Sequence, residues 1–218
     1  VFMTNASLFA DFGFSRYPMQ LADFHQKSKQ ANNFFRSAAY RKADVIFVST
    51  RYLRKRRKAG GLSDTQGLEF LAKRTLLDNK ILVGANNTVE FFWDGTKTLY
   101  DSLLWQASAD NGEANARFFE AVNQRYFLER NKARAPSEVD EINGEIADLA
   151  QTYDFILLKK EDYVCDFPRK ICFGATDEGH KAFYDYGHYT MQGAAFFGRR
   201  IHQIGWLKPL EEKLSKRR

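Results

Sequence analysis

Short apolar runs alternate with longer segments of helical periodicity, and this alternation most constrains the fold of the chain. The runs are rich in the β-branched and aromatic residues that favour strands, and they lie at 1–4, 43–50, 80–84 and 155–158. Apolar residues at spacings of three and four predict helices at 18–42, 63–77, 113–131 and 137–153. Strands alternating with helices predict a mostly parallel sheet covered on both faces. Right-handed crossovers make this a three-layer α/β/α, doubly wound, flavodoxin-like fold.

The length of 218 residues predicts one domain spanning 1–218. Residues 87–111 are the least regular stretch, and we expect an insertion or a lid there. Val1 already lies in a predicted strand, so we expect the chain to be a fragment of a longer protein.

Composition and charge restrict the function classes. Apolar residues make up 44% and aromatic residues 15% of the chain, which is enough for a packed core and argues against disorder. No apolar run approaches the ~18 residues of a transmembrane helix. The net charge of +6 is concentrated at 51–58 and 213–218, where the alternatives are binding to phosphate or anionic lipid and a solvated loop with a frayed tail. We favour the second, so nucleic-acid binding is the least favoured function.

An acid and an imidazole lie three residues apart near the end of the chain, as Asp185 and His188. Thr190 follows as the predicted N-cap of a helix. A carboxylate that orients a histidine, which deprotonates a serine, is the arrangement of nucleophilic hydrolases. Ser7 follows the first strand and opens a helical turn, a position that suits a nucleophile beside an oxyanion site. The alternatives are that Ser7 only caps a helix and that the acid and imidazole are solvated loop residues.

The chain has two cysteines, Cys165 and Cys172. Metal binding is not expected, because companion ligands at zinc spacing are missing nearby. Two buried thiols and a local disulfide both remain possible from the residues alone.

The chain resembles the SGNH (GDSL-type) hydrolase superfamily at both ends. Residues 1–13 (VFMTNASLFADFG) resemble the first block of that family, which ends in Gly-Asp-Ser-Leu, and 185–188 (DYGH) resemble its last block, Asp-x-x-His. The chain is most similar to SGNH domains fused to bacterial membrane acyltransferase-3 proteins, which O-acetylate cell-surface polysaccharides. Similar features there are an Ala-Asp-Val-Ile-like strand ending in an arginine-aromatic pair (here Arg51-Tyr52), a late cysteine pair, and a Gly-Ala helix (here Gly193-Ala194).

The resemblance implies an acyltransferase or esterase with Ser7 as nucleophile, His188 as base and Asp185 as the residue that orients the base. It also implies a Cys165–Cys172 disulfide, and oxyanion or substrate binding by Arg51 and Asn86.

The implied acceptor is a bacterial polysaccharide, at the periplasmic face of the inner membrane. The chain would be the C-terminal part of a longer membrane protein. The acyl donor would come from a membrane acyltransferase domain, with membrane contact through the missing N-terminal region. No metal or diffusible cofactor is expected.

Two departures favour an alternative function. The Gly-Asp of the first block is Asn5-Ala6 here, and Arg51 stands where simpler members have the oxyanion asparagine. The alternative is a catalytically weak or inactive domain that binds carbohydrate or scaffolds a membrane acyltransferase.

Overall fold

The computed structural model of the protein describes residues 2–4, 33–50, 52, 64–87, 89–109, 114–130 and 136–217. The chain divides into two compact units. Unit 1 comprises Val1–Asn87, Asp140–Lys159 and Lys213–Arg218, and unit 2 comprises Thr88–Val139 and Lys160–Glu212. The single domain expected over 1–218 stays a prediction.

Besides a single helical turn at 33–36, the described residues form eight helices and six strands. The strands are β1 Phe2–Thr4, β2 Val45–Ser49, β3 Ile81–Ala85, β4 Ile156–Leu158, β5 Cys165–Asp166 and β6 Ile171–Cys172. The helices are α1 Ala38–Lys42, α2 Asp64–Leu77, α3 Leu99–Ala109, α4 Ala116–Glu129, α5 Pro136–Thr152, α6 Glu161–Val164, α7 Met191–Gln203 and α8 Lys208–Ser215.

Unit 1 is built on a parallel sheet with the strand order β1-β2-β3-β4. Each of the four predicted strands is confirmed, with ends within two residues of the expected ones. Ala85 at the end of β3 is in register with both Ser49 and Leu158, so the carboxyl ends of three neighbouring strands lie at one edge. In open α/β sheets this edge carries the functional residues.

Both faces of the central strands are buried, as a sheet covered on both sides requires. Ile46 and Leu82 point to one face and pack in the main core of unit 1. Val45 and Phe47 point to the other face and are also buried. The buried members of this core are Phe34, Tyr40, Ala43, Ile46, Val48, Tyr52, Leu68, Leu71, Ala72, Leu82, Ile142, Ile146, Ala150 and Phe155. The parallel sheet with its packed helices confirms the α/β class.

The helix expected at 18–42 is interrupted in its described part. Residues 33–36 are helical, the chain bends at Ser37, and α1 follows. The Ser37 hydroxyl accepts a hydrogen bond from the Tyr40 N–H at 3.1 Å, so this serine caps a new helix instead of continuing the old one.

Unit 2 has its own core, made largely of aromatic residues. β5 and β6 form an antiparallel hairpin in which Cys165 is opposite Cys172, and these two cysteines form a disulfide. The expected disulfide is therefore confirmed. The buried members of this core are Val89, Phe91, Leu99, Tyr100, Val122, Tyr126, Tyr163, Val164, Cys165, Ile171, Cys172, Phe173, Ala175, Ala182, Phe183, Phe196 and Phe197.

The expectation of irregular structure over 87–111 is wrong for its second half, because α3 occupies Leu99–Ala109. The Asp101 carboxylate accepts hydrogen bonds from the Thr98 N–H at 2.9 Å and from the Thr98 hydroxyl at 2.8 Å. The Thr98 hydroxyl also accepts from the Asp101 N–H at 3.4 Å, so the contact is reciprocal and fixes the start of the helix in the manner of a capping box. An insertion or lid at 87–111 stays a prediction.

Across the described ranges, no helix combines the length and the apolar character needed to cross a bilayer.

Candidate active site

The loop that carries the predicted acid and base is a tight hairpin in unit 2. Phe183 and Tyr189 form an antiparallel bridge at its base, and the Tyr184 N–H donates to the His188 carbonyl at 2.9 Å. The Tyr186 carbonyl accepts from the Phe91 N–H at 2.9 Å, which ties the tip of the loop to a distant segment of the chain. The loop backbone is therefore held from two sides.

Asp185 organises this loop with both carboxylate oxygens. Oδ1 accepts from the backbone N–H groups of Gly187 at 2.9 Å and His188 at 2.8 Å, and Oδ2 lies 2.7 Å from His188 Nδ1. Burial by itself raises the pKa of the Asp185 carboxyl, but these three hydrogen bonds outweigh burial and lower the pKa below its usual value. The carboxylate is thus ionised at neutral pH.

The ionised carboxylate fixes the tautomer of His188. A carboxylate only accepts hydrogen bonds, so Nδ1 carries the proton and donates it to Asp185. The lone pair of the neutral ring then lies on Nε2, which has no hydrogen-bond partner in the described part of the chain. The His188 side chain is 57% exposed, whereas that of Asp185 is 11% exposed. The pair presents a base to solvent and keeps the orienting acid covered.

Aromatic rings flank the imidazole. The Tyr184 ring stacks on His188 with centroids 5.5 Å apart and an interplanar angle of 17°. Tyr186 approaches His188 at the same centroid distance with an angle of 65°. The Asp185 hydrogen bond orients the imidazole, and the two tyrosine rings help to hold it in that orientation.

The loop is joined to α7 through Thr190, the predicted N-cap. Its hydroxyl accepts from the Gly193 N–H at 2.9 Å and donates to the Lys181 carbonyl at 2.6 Å. The Thr190 N–H donates to the Ala182 carbonyl at 3.0 Å. A Cβ at position 193 would overlap this carbonyl, so only glycine lets α7 approach the base of the loop this closely.

Two asparagines follow β3 at the carboxyl edge of the unit 1 sheet. Asn86 is buried, and its N–H donates to the Leu158 carbonyl at 3.0 Å. Asn87 is also buried; its Oδ1 accepts from the Tyr52 N–H at 2.8 Å, and its N–H donates to Asn143 Oδ1 at 3.2 Å. The Asn87 Nδ2 is a buried donor that has no partner among the described residues. A buried unmatched donor is costly and is available to an incoming oxygen.

Some predicted site residues can be placed and others cannot. The structure brings Asp185 and His188 together, and it places Asn86 at the carboxyl edge of the unit 1 sheet. Ser7 and Arg51, like the Asn5-Ala6 pair, lie outside the described residues. Sequence reasoning missed Asn87 and Tyr184, although a second asparagine after β3 and an aromatic residue just before Asp185 were both visible signals.

A buried lysine is a further titratable group in unit 2. Lys160 precedes α6 and is 6% exposed. Burial lowers the pKa of this ammonium to about 8, although the neighbouring Glu161 carboxylate acts in the opposite direction. In the part of the chain that the structure describes, no group of three or more His, Cys, Asp or Glu side chains is placed to hold a metal ion.

The fold is α/β, and Asp185 and His188 have the geometry in which a carboxylate orients an imidazole. Residues 1–203 match the family described as the SGNH domain (fused to AT3 domains). The match spans most of the 218 residues, so the chain belongs to this family, as the resemblance implied.

The fold is similar to one solved structure in particular, the periplasmic domain of a lipopolysaccharide acetyltransferase from Salmonella ser. Paratyphi A. The two share 14% identity with a TM-score of 0.53, over 91% of this chain and 76% of that chain. At this identity the likeness concerns the fold alone. No curated protein gives a significant match.

Proposed function

We propose that this domain transfers an O-acyl group, with acetyl as the simplest case, to or from a hydroxyl of a bacterial cell-surface polysaccharide. The observation that carries the proposal is the oriented His188, with its Nδ1 on the Asp185 carboxylate and its Nε2 unengaged in the described structure. Membership of the SGNH family supports it, because that family resemblance supplies Ser7 as the nucleophile.

In the proposed first half-reaction, the Ser7 Oγ attacks the carbonyl carbon of an ester as His188 Nε2 takes the hydroxyl proton. The Asp185 carboxylate stabilises the imidazolium that forms and keeps its orientation. The tetrahedral intermediate then collapses, the ester C–O bond breaks, and the imidazolium returns the proton to the leaving alcohol. The product is an acyl-serine.

In the second half-reaction, a sugar hydroxyl or water attacks the acyl carbon of the acyl-serine while His188 Nε2 takes its proton. The bond between the acyl carbon and Ser7 Oγ then breaks, and the imidazolium returns the proton to the Ser7 oxygen. Attack by a sugar gives transfer, and attack by water gives hydrolysis. The family description includes fusion to AT3 domains, and we propose that such a membrane domain supplies the acyl group on the periplasmic side. The domain similar in fold is itself a periplasmic domain of an acetyltransferase, which supports this location.

Backbone and side-chain donors are proposed to stabilise the oxyanion. The Ser7 N–H, Arg51 and Asn86 are the donors expected from sequence. The buried Nδ2 of Asn87 is a further candidate, because it has no partner among the described residues and follows the same strand as Asn86. One such donor is typically worth about 10²–10³ in rate.

The test is the hydrolysis of p-nitrophenyl acetate by the protein and three variants. Ser7→Ala and His188→Ala should each abolish turnover to a similar extent, because members of one catalytic unit act non-additively. Asp185→Asn should lower the rate by about 10³–10⁴-fold and leave a low residual activity, since the amide favours the wrong tautomer of His188. A wild-type protein without Ser7-dependent turnover would remove the enzymatic proposal and leave the carbohydrate-binding alternative.

A further inference from the structure

Four rings form a continuous row in unit 2 that includes the imidazole of His188. We call Trp93, Tyr186, His188 and Tyr184 the aromatic row. Its successive centroid distances are 5.9 Å from Trp93 to Tyr186, 5.5 Å from Tyr186 to His188 and 5.5 Å from His188 to Tyr184.

The backbone on both sides of the row is fixed. The Phe91 N–H donates to the Tyr186 carbonyl, which links the segment before Trp93 to the loop of His188. Trp93 pairs with Thr98 in an isolated bridge, and the Asp94 carboxylate closes the turn between them by accepting from the Lys97 N–H at 2.7 Å. The indole is therefore presented on a short, hydrogen-bonded hairpin.

The rings at the two ends of the row remain open to solvent. Trp93 is 41% exposed and Tyr184 is 56% exposed, although both contact other rings of the row. Exposed aromatic residues that are grouped and held in place mark interaction sites more often than single exposed ones do. Because the rings are already oriented, a ligand that stacks on them need not order them on binding.

The chemistry of the row fits a sugar ring. A pyranose has a face of C–H bonds and a rim of hydroxyl groups. Tyrosine and tryptophan offer the matching combination of an apolar ring face and a polar edge. The half-exposed rings lie open at the surface and do not enclose a ligand, which suits a flat ring better than an acyl chain.

We propose that the aromatic row is the acceptor subsite, where one pyranose of the polysaccharide stacks on Trp93, another stacks on Tyr184, and a hydroxyl or acyl ester of the bound sugar chain lies at His188. This rests on the proposed function, because it assigns the sugar side of the same reaction. Trp93 and Tyr184 are then residues that determine substrate specificity, and neither takes part in the chemical step.

The first test measures binding without turnover. Saturation-transfer NMR would use the methyl pyranosides of glucose, galactose, mannose and rhamnose, with sorbitol as the open-chain control that has hydroxyls and no ring face. At least one glycoside should receive transfer from the wild-type protein, and Trp93→Ala or Tyr184→Ala should lower it about five- to tenfold. Trp93→Phe should restore part of the signal.

The matched control is Trp105→Ala. Trp105 is 67% exposed on α3 and does not belong to the row, so its loss should leave the signal unchanged. Equal transfer to wild-type protein and Trp93→Ala, or transfer to the glycosides no greater than to sorbitol, would overturn the proposal. If the aromatic row binds a protein partner instead of a sugar, no glycoside should receive more transfer than sorbitol.

The second test separates this proposal from the proposed function. Trp93→Ala should lose about five- to tenfold more in kcat/KM on a mono-O-acetyl methyl pyranoside than on p-nitrophenyl acetate, whereas Trp105→Ala should keep the wild-type rate on both esters. Equal losses on both esters would overturn the subsite. A wild-type protein that hydrolyses neither ester would contradict the proposed function, whereas the NMR measurement would still decide on sugar binding.

Discussion

Replacing Gly193 by alanine perturbs the joint between α7 and the loop of His188. The new Cβ would overlap the carbonyl group of Ala182. These are backbone atoms, so they cannot move aside by a side-chain rotation. Ala182 is itself held, because its N–H donates to the Gly174 carbonyl at 2.9 Å and its carbonyl accepts from the Thr190 N–H at 3.0 Å. Relief of the overlap must therefore break or stretch contacts on both sides.

The expected magnitude follows from opposing contributions. Overpacking against fixed backbone costs about 1–3 kcal/mol. Weakening the Thr190 contacts costs about 1 kcal/mol more, as the loss of a helix cap does. Against these, alanine gains about 0.5–1 kcal/mol over glycine in a helix interior. We expect Gly193→Ala to lower the free energy of unfolding by about 2 kcal/mol.

Urea unfolding followed by circular dichroism measures this difference, and Gly198→Ala is the matched control. Gly198 lies in the same helix, and a Cβ there would have no neighbour within 4 Å. The free energy of unfolding of the control should equal that of the wild type or exceed it by up to about 1 kcal/mol. If both variants unfold at the same urea concentration, the close approach of α7 to the loop is refuted.

Three further predictions concern the disulfide and two titratable groups. Unreduced protein should show no reactive thiol after denaturation, and replacing Cys165 and Cys172 by serine should lower the free energy of unfolding by about 2–3 kcal/mol; two titrated thiols would contradict the bond. The pKa of Lys160 is lowered to about 8 in the folded protein, so between pH 8 and pH 10.5 the unfolded state binds more protons than the folded state. The stability of the wild-type protein should therefore rise with pH in that window relative to the stability of Lys160→Met. The lowered pKa of Asp185 stabilises the protein above the usual value of 3.8, and this contribution is lost as the pH falls through the folded pKa. The stability difference between wild type and Asp185→Asn should therefore shrink in acid, and a constant difference would refute the hydrogen-bond account.

The strands were predictable because their signal is local. Buried parallel strands are continuous apolar runs, so 80–84 matched Ile81–Ala85 closely. Helix ends were harder, because they depend on single side chains. Ser37 interrupts the helix expected at 18–42, and the pair Thr98 and Asp101 starts α3 where irregular structure was expected. Both are capping signals, and the Thr-x-x-Asp spacing at 98–101 could have been recognised.

The site was predictable only in part, because its parts come from distant segments. The spacing of Asp185 and His188 was sufficient to pair them. The contact between Phe91 and Tyr186 spans nearly a hundred residues, so no sequence pattern indicated that Trp93 lies beside the loop. The unmatched Nδ2 of Asn87 depends on where Tyr52 and Asn143 lie, which only the fold determines.

The measurement that tests the account most directly is covalent labelling of Ser7 by a fluorophosphonate, located by peptide mass spectrometry. Such reagents label a serine whose hydroxyl is deprotonated by a neighbouring base. The account predicts a phosphonylated Ser7 in the wild-type protein and no label in Ser7→Ala. It also predicts greatly reduced labelling in His188→Ala, because Nε2 of His188 is the proposed base. An unlabelled Ser7 in active protein, or a Ser7 labelled equally well without His188, would contradict the central claim.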